Sequence, residues 1–564
     1  MNRILKYNKS PGLYVAPSRT QNRGALILGG GHNSLICGAY LAKNGIDTLI
    51  LERRHIIGGC CVTEEVIPGF KFSRASYLAG LLRPQIIKDL DLQKYGFEYI
   101  PRDPSSFTPT KIGDALYPKF LLLGSDSKSN WNSIAQFSKT DADSFDKYEE
   151  FLGKIREILQ PILDNAPIDF TEGKIIEKIS TLKSFFQLES KVLKHRKVLI
   201  PFYELFTGPA EQILNRWFES DILKTTLSTD AVIGALISPK NNGSAYVLLH
   251  HVMGEAAGKK GVWSYVRGGM GSISEAIAAS ARNHGAEICT NATVKKIIHE
   301  NDKAIGVEME DGSIITADVI VSGCSTHHTF LELLDAKAIP SSFIKHLETA
   351  DLTCGAMKIN CALDRLPNFT CMPSPSDGSA GPMHKGTIHF VSQMNEIEDA
   401  YKEAASGKTA TRPILEMTIP SSLDPTLAPN GKHVAQIFVQ YTPYDLDPNH
   451  GSWDDPVFKD SFIRRCFNII DEFAPGFSQS VIAHDSLSPL DLERIFGIPK
   501  GNFHHLSLGI HQLAYNRPVP GFSSYRSPLK SLYMCSAATH PGGGVMGASG
   551  RNCANAILSD KNIF

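Results

Sequence analysis

The first feature of this 564-residue chain with evident chemistry is a run of glycines between two apolar segments. "ILGGGHNSLI", residues 27 to 36, reads as G-x-G-x-x-G with one position altered: Gly29 and Gly31 are present, and Ser34 stands where a third glycine would be. Such a loop brings backbone N–H groups against a pyrophosphate, and the helix that follows aims the positive end of its dipole at the same charge. Alone the pattern is weak, so its context decides. "GALIL" before it reads as a buried strand, and Leu35, Gly38, Ala39, Leu41 and Ala42 give the next segment a helical apolar face. Gly45 ends that helix, and "DTLILE" forms a second buried strand closing on Glu52. Glu52 lies about 20 residues past the loop, where an acid accepts hydrogen bonds from an adenosine ribose. The expectation is a βαβ unit that binds a dinucleotide. Its third glycine serves helix–strand packing rather than phosphate contact. Ser34 therefore costs roughly 1–3 kcal/mol of overpacking unless a neighbour gives way, and Gly38 is read as that compensation.

A second glycine cluster lies near the C-terminus. "LYMC" reads as a buried strand, "SAATHPGGGVMG" as a loop and "ASGRNCANAIL" as a helix. Gly542, Gly543, Gly544 and Gly547 let that backbone lie against a flat ring or a phosphate, again at a helix N-terminus. His540 in this loop is a candidate for positioning substrate or trading a proton; a structural bond to backbone is the competing reading. His504 and His505 in "GNFHH" are further candidates for a cavity wall. His32 and Asn33 in the first loop suit bonds to phosphate or local backbone. The chain has 11 cysteines, an odd number with no C-x-x-C, which fits a reducing compartment better than a disulfide framework. Cys60 and Cys61 are adjacent and read as small packed residues or, less favourably, as a vicinal redox pair. No spacing suited to a metal is present.

After Glu52 comes "RRHIIGGCCVT", and this extension resembles the signature of flavin enzymes of the phytoene desaturase and amine oxidase type. "TDAVIGALISP", "YVRGGMGSISEAI", "IPSSLDPTLAPNGKHV" and "LYMCSAATHPGGGVMGASGRNCANAIL" follow in order, and the resemblance to that carotenoid-desaturase-like family covers essentially residues 24 to 560. It implies FAD as the dinucleotide, with Gly58 and Gly59 continuing the backbone wrap around the pyrophosphate and Val294 meeting the adenine. The implied fold class is α/β: a Rossmann-like FAD-binding domain of the amine-oxidase type, with an interleaved α+β substrate domain. The FAD domain would be discontinuous, made of residues 24–105, 260–330 and 490–564, with substrate-domain segments 106–259 and 331–489 between them. The cofactor-site set is then Gly29, Gly31, His32, Asn33, Ser34, Glu52, Arg53, Gly58, Gly59, Val294, His540, Gly543, Gly544 and Gly547. Ser536 and Ala538 stand where the family often has glycine.

Other segments must position these groups. "EICTNATVKKIIHENDKAIGVEMEDGSIITADVIVSG" alternates apolar and polar residues, turns at Asp311-Gly312 and ends in a buried strand. "GGMGSIS" at 268 to 274 follows "GVWSYVR" rather than a clear buried strand, so no second nucleotide fold is evident. "TDADSFDKYEEFLGKIREILQPIL" places Phe145, Tyr148, Phe151, Leu152, Ile155, Ile158, Leu159 and Ile162 on one helical face, and Thr140 with Asp143 resembles a capping box. "HRKVLIPFYELF" at 195–206, basic at one end and apolar at the other, suits core packing, a tunnel mouth or peripheral contact with a membrane surface. The strand "HVAQIFVQYTP" is expected to floor a substrate cavity.

Composition bounds the function. Apolar residues make up 42% and the formal net charge is -1, which supplies a large core and argues against nucleic acid as a partner. No apolar run approaches the roughly 18 residues of a transmembrane span. Residues 1–23 are basic, and the first acidic residue is Asp47; this leader fits a mitochondrial presequence for the matrix, or a short solvated tail. Three functions compete. One is an FAD-dependent dehydrogenase or desaturase of mitochondria acting on an apolar small molecule, with an external electron acceptor. Another is a flavoprotein with a regulatory or scaffolding role towards a respiratory-chain partner. The third, an NAD(P)H-disulfide reductase, is disfavoured by the cysteine spacing.

Overall fold

Strand β1 (Arg23–Leu28) lies between two parallel neighbours and is therefore apolar on both faces. On one side it pairs with β2 (Thr48–Leu51), which pairs in turn with Glu287–Cys289; on the other it pairs with Ile314–Ser322. The end of that long strand takes Leu532–Met534 as a parallel partner, and its start carries the antiparallel strands Lys303–Met309 and Val294–Glu300. One seven-stranded sheet thus gathers three distant pieces of chain. The computed structural model describes residues 22–167 and 188–560, so nearly all of the basic leader lies outside the described residues.

Helix α1 (His32–Lys43) joins β1 to β2 and is buried over most of its length. It shares one face of the sheet with helices Gly271–Asn283 and Ala548–Ser559, whose Ile273, Ala276, Ile277, Cys553, Ala554 and Ile557 pack against Ile27, Ile50 and Val319. Leu26, Leu49 and Ile320 face the opposite way, onto Ile297, Val307, Phe330 and Phe343. The strand before Gly271–Asn283 is only Ser264–Val266, and it pairs with Tyr99–Pro101 outside the main sheet. "GGMGSIS" therefore opens a helix of the same domain and starts no second nucleotide fold.

A second seven-stranded sheet runs in the order Val481–Leu487, Ala356–Leu363, His433–Gln440, Ile414–Thr418, Thr387–His389, Ser106–Thr108, Leu121–Leu123. Helix Pro456–Phe473 covers one face with Phe462, Ile463, Cys466 and Ile470. Helices Lys139–Asp164, Ala210–Trp217, Asp221–Thr229 and Ser244–His251 form a separate apolar layer. Among the described residues no helix is long and apolar enough to cross a membrane.

Local details correct two expectations and refine a third. The long helix is capped two residues before Thr140: the Ser138 side chain accepts from the Asp141 N–H (3.1 Å). The segment 195–206 packs on one side only, for Leu205 is buried while Ile200 and Tyr203 are 83% and 69% exposed. Gly38 does not compensate for Ser34. A Cβ at Gly38 would meet Ile50 Cδ1 at 2.6 Å, whereas Ser34 Oγ occupies the space of a Cβ on Gly323, 1.8 Å from where it would lie. The third-glycine space has moved from the helix to the strand end.

This exchange is testable. Gly323→Ala should lower stability by about 1–3 kcal/mol through overpacking, and adding Ser34→Gly should restore most of it. Urea unfolding of the two single variants and the double variant checks this. Strict additivity would show that the two positions do not share one space.

Candidate functional site

Two cavities open on the glycine loops. The first, of about 870 Å³, is lined by Gly29, Gly31, His32, Asn33, Ser34, Glu52, Arg53, Gly58, Gly59 and Val294. The whole N-terminal part of the expected cofactor set thus shares one space with Val294, and the geometry explains why glycine recurs. Gly29 holds φ +87° at the end of β1. A Cβ on Gly31 would meet nothing within 4 Å, so its backbone faces open cavity. The Gly58 N–H donates to the Gly30 carbonyl (2.8 Å), and Gly31 and Gly58 form a parallel bridge. The second glycine pair therefore stacks on the first loop. Glu52 fixes both: its Oε2 accepts from the Gly30 N–H (2.6 Å) and its Oε1 from the Arg54 N–H (2.8 Å). Each oxygen keeps a lone pair directed away from these bonds.

Helix α1 begins at Gly31 with no side-chain cap, leaving its first N–H groups for a ligand. The Asn33 side-chain oxygen and Nδ1 of His327 and His505 are buried on this cavity without a hydrogen-bond partner among the described residues. Orphaned polar atoms around an open glycine cradle fit a dinucleotide. Val294 opens strand Val294–Glu300 next to Ala292, whose N–H donates to the Glu52 carbonyl (2.8 Å).

The second cavity, of about 710 Å³, lies between the second sheet and the helical layer and is walled by Tyr77, Leu81, Trp263, Lys358, Phe438, His504, Gly543 and Gly544 among others. His32, Cys60, Phe503 and Ala537 line both cavities and mark where they meet. Gly543 lies against His504: a Cβ there would fall 2.6 Å from its Nδ1. His504 is 1% exposed, and neither ring nitrogen has a partner among the described residues. Burial, reinforced by His250, His251 and Arg517, pushes this imidazole well below its ordinary range. The fully buried Arg517 holds the loop in place, donating to the carbonyls of His504 (2.6 Å) and Ala537 (2.9 Å).

Two expected residues lie elsewhere. His540 borders neither cavity. Its Nε2–H donates to the Ile162 carbonyl (2.8 Å), while its own carbonyl accepts from Tyr525 Oη (2.9 Å) and Ser549 Oγ (3.0 Å). Burial holds it neutral, pushed down to about 4. The structural reading of His540 fits this geometry. Gly547 caps the last helix at φ +74° and packs on Ile36, which a Cβ would approach to 2.5 Å, so it too is a packing residue.

Several polar groups in the second cavity escaped the sequence reading. Lys358 is buried on strand Ala356–Leu363, donating Nζ to the carbonyls of Ser73 and Ala75 (3.2 Å each) above the Tyr77 ring; burial pushes its ammonium well below the ordinary range. His389 Nδ1 pairs with Glu416 at 3.1 Å. Asp230 lines the same wall, its carboxyl raised to about 8 by burial and by Glu416. A charged residue inside an apolar strand was the available signal for Lys358. Among the described residues no cluster of His, Cys, Asp or Glu is placed to hold a metal. Burial pushes the thiols of Cys60 and Cys61 up to about 12, which suppresses the reactive thiolate.

The comparisons with known proteins agree with this geometry. Residues 27–84 match the model of the NAD(P)-binding Rossmann-like domain, and residues 98–353 that of flavin containing amine oxidoreductase. Pyridine nucleotide-disulfide oxidoreductase domain-containing protein 2 of Rattus norvegicus is 45% identical over 96% of this chain and 94% of its own length, and the Mus musculus protein is 46% identical over the same shares. The chain belongs to this family. One of the subunits of limonene dehydrogenase from Castellaniella defragrans is 28% identical over 95% of each chain. Among solved structures, an oxidoreductase from Methanosarcina mazei (TM-score 0.56, 15% identity, 95% of this chain and 99% of that one) shares the fold. So does a putrescine oxidase (TM-score 0.55, 13% identity, 96% and 99%). The fold is a Rossmann-like unit joined to a flavin amine-oxidase-type domain, and the family is one of flavin oxidoreductases.

His540→Ala should leave the Ile162 carbonyl buried and unpaired, at about 1–3 kcal/mol. Melting temperature and flavin retention should therefore fall together. A variant with normal stability and flavin content but lost turnover would return His540 to a catalytic role.

Proposed function

We propose that the protein is an FAD-dependent dehydrogenase or desaturase acting on a small, largely apolar molecule. The observation that carries this reading is the meeting of the two cavities at His32, Cys60, Phe503 and Ala537. A dinucleotide in the first cavity would meet the second where these four residues line both. The N–H groups at the start of α1 would hold the pyrophosphate, Glu52 the ribose and the backbone at Val294 the adenine. FAD bound there supplies a two-electron acceptor, the part of the chemistry that side chains cannot provide.

The protein's own residues do the rest. Leu81, Trp263, Phe438 and Phe503 exclude water and press the substrate against the ring site. His504, neutral and without a partner, stands beside Gly543, where its ring nitrogens can hold a polar group of the substrate by hydrogen bonding. Arg517 holds that imidazole in place through the His504 carbonyl. The disulfide-reductase reading gains nothing from Cys60 and Cys61, whose thiols stay protonated.

Purified protein should carry FAD noncovalently, shown by its absorption spectrum and by identification of the released ligand. Folded, colourless protein that does not take up added FAD would sink the proposal. Glu52→Ala should weaken binding by roughly 1–3 kcal/mol, or about 5- to 150-fold. It should also loosen the apo loop, because the Gly30 and Arg54 N–H groups lose their acceptor. Unchanged affinity would reduce Glu52 to the end of a strand.

A further inference from the structure

One transverse row of side chains crosses the floor of the second cavity. Strand register places His389 opposite Glu416, Glu416 opposite Phe438 and Phe438 opposite Lys358, and all four line the cavity. Lys358 ends the row beside Tyr77, against the Ser73 and Ala75 carbonyls. Glu416 lies two strands away, or about 10 Å at the usual spacing. Tyr77 stacks on Phe438 with ring centroids 5.8 Å apart. The Asp230 carboxyl and the Tyr77 hydroxyl both border the cavity, and neither makes a hydrogen bond among the described residues. Glu416 is held by His389 (3.1 Å), and Arg102 has donors taken up by Trp263 O (3.1 Å) and Thr387 Oγ1 (2.9 Å). His504, almost fully buried with both nitrogens unpartnered, opens on the same cavity.

A hydrocarbon filling this space would leave the Asp230 carboxyl, the Tyr77 hydroxyl and the His504 ring unpaired, at about 1–3 kcal/mol each. We infer that Asp230, Glu416 and Tyr77 form a subsite for a hydrogen-bond-donating head, a hydroxyl or an ammonium, on an otherwise apolar substrate. The wall offers acceptors: a carboxylate at Glu416, the Asp230 carboxyl and a phenol oxygen. An incoming carboxylate would face two acids, with one cation, Arg102, close enough to act on Asp230. Burial and Glu416 hold the Asp230 acid up at about 8, so a neutral head finds one more donor there and a cationic head draws off its proton. The placement of the reacting carbon rests on the flavin reading above; the head-group preference does not.

Holoenzyme titrated calorimetrically with hexane, 1-hexanol, hexylamine and hexanoate tests the subsite. We expect 1-hexanol or hexylamine to bind at least about 10-fold more tightly than hexane and hexanoate, a difference of about 1.4 kcal/mol. The tighter of the two assigns the head as hydroxyl or ammonium. Asp230→Leu should remove the preference while FAD content, read at the flavin band, stays unchanged. Should that variant not fold, the wild-type series with Asp230→Asn decides. Hexane or hexanoate binding as tightly as both donor-headed probes overturns the inference. Absence of FAD overturns the flavin reading alone, because the heats of binding are measured without turnover.

Discussion

The stacking of one stretch of backbone on another, Gly30–Gly31 beneath Gly58–Gly59, is the constraint from which the rest of the site follows. Peptide groups approach this closely only where side chains are missing: a Cβ on Gly30 would lie 2.9 Å from the Glu52 Cβ, and one on Gly58 would lie 2.3 Å from the Cys61 carbonyl. Glu52 ties the layers together by accepting from Gly30 and Arg54 at once. The carboxylate proposed to hold the ribose thus also builds the glycine loop. On that proposal binding and local folding share one residue, so neither can be altered alone.

The sheet behind this loop explains why the chain is interleaved. Its strands come from residues 23–51, 287–322 and 532–534, and the excursions between them build the second sheet and its helices. The second cavity is lined by that second sheet and its helices, so it belongs to the excursions rather than to the first sheet. The junction residues come from the two ends of this path: His32 and Cys60 from the first passage, Phe503 and Ala537 from the last. Arg517 binds the last passage together by collecting carbonyls from His504 to Ala537. A buried guanidinium is costly unless its donors are satisfied; five bonds from its terminal nitrogens to carbonyls offset part of that cost, while Nε has no partner among the described residues.

The βαβ unit was legible in the sequence because its signals are local: glycines at fixed offsets, apolar runs and an acid at the strand end. The hairpin turning at Asp311-Gly312 was legible for the same reason. Ser34 was legible as an anomaly but not in its solution, since Gly323 lies far along the chain and only the fold brings it to the helix. His540 shows the opposite limit. A histidine beside glycines resembles a site, yet its partner is a carbonyl on the long helix, and nothing in "THPGGG" points to Ile162. Asp230, Glu416 and His389 come from one helix end and two strands. No spacing encodes their meeting, which strand register and packing create.

The interior histidines couple this architecture to pH. His250, His504 and His540 are buried and neutral, with His250 pushed down to about 3 and His540 to about 4 chiefly by burial. Their folded values lie below the unfolded value of about 6.5. Above that value both states are neutral and these groups cost the fold nothing. As pH falls below it, the unfolded chain takes up protons that the folded chain refuses, so stability declines by about 1.4 kcal/mol per histidine per pH unit. The loss continues until the pH reaches the folded values near 3 to 4. Urea unfolding at pH 7.5 and pH 5.5 should show this decline, and His250→Phe should flatten it by about one proton. An unchanged slope in that variant would mean that His250 already titrates in the folded protein, and that the wall beside His504 is wet rather than the dry chamber a substrate-oxidising site requires.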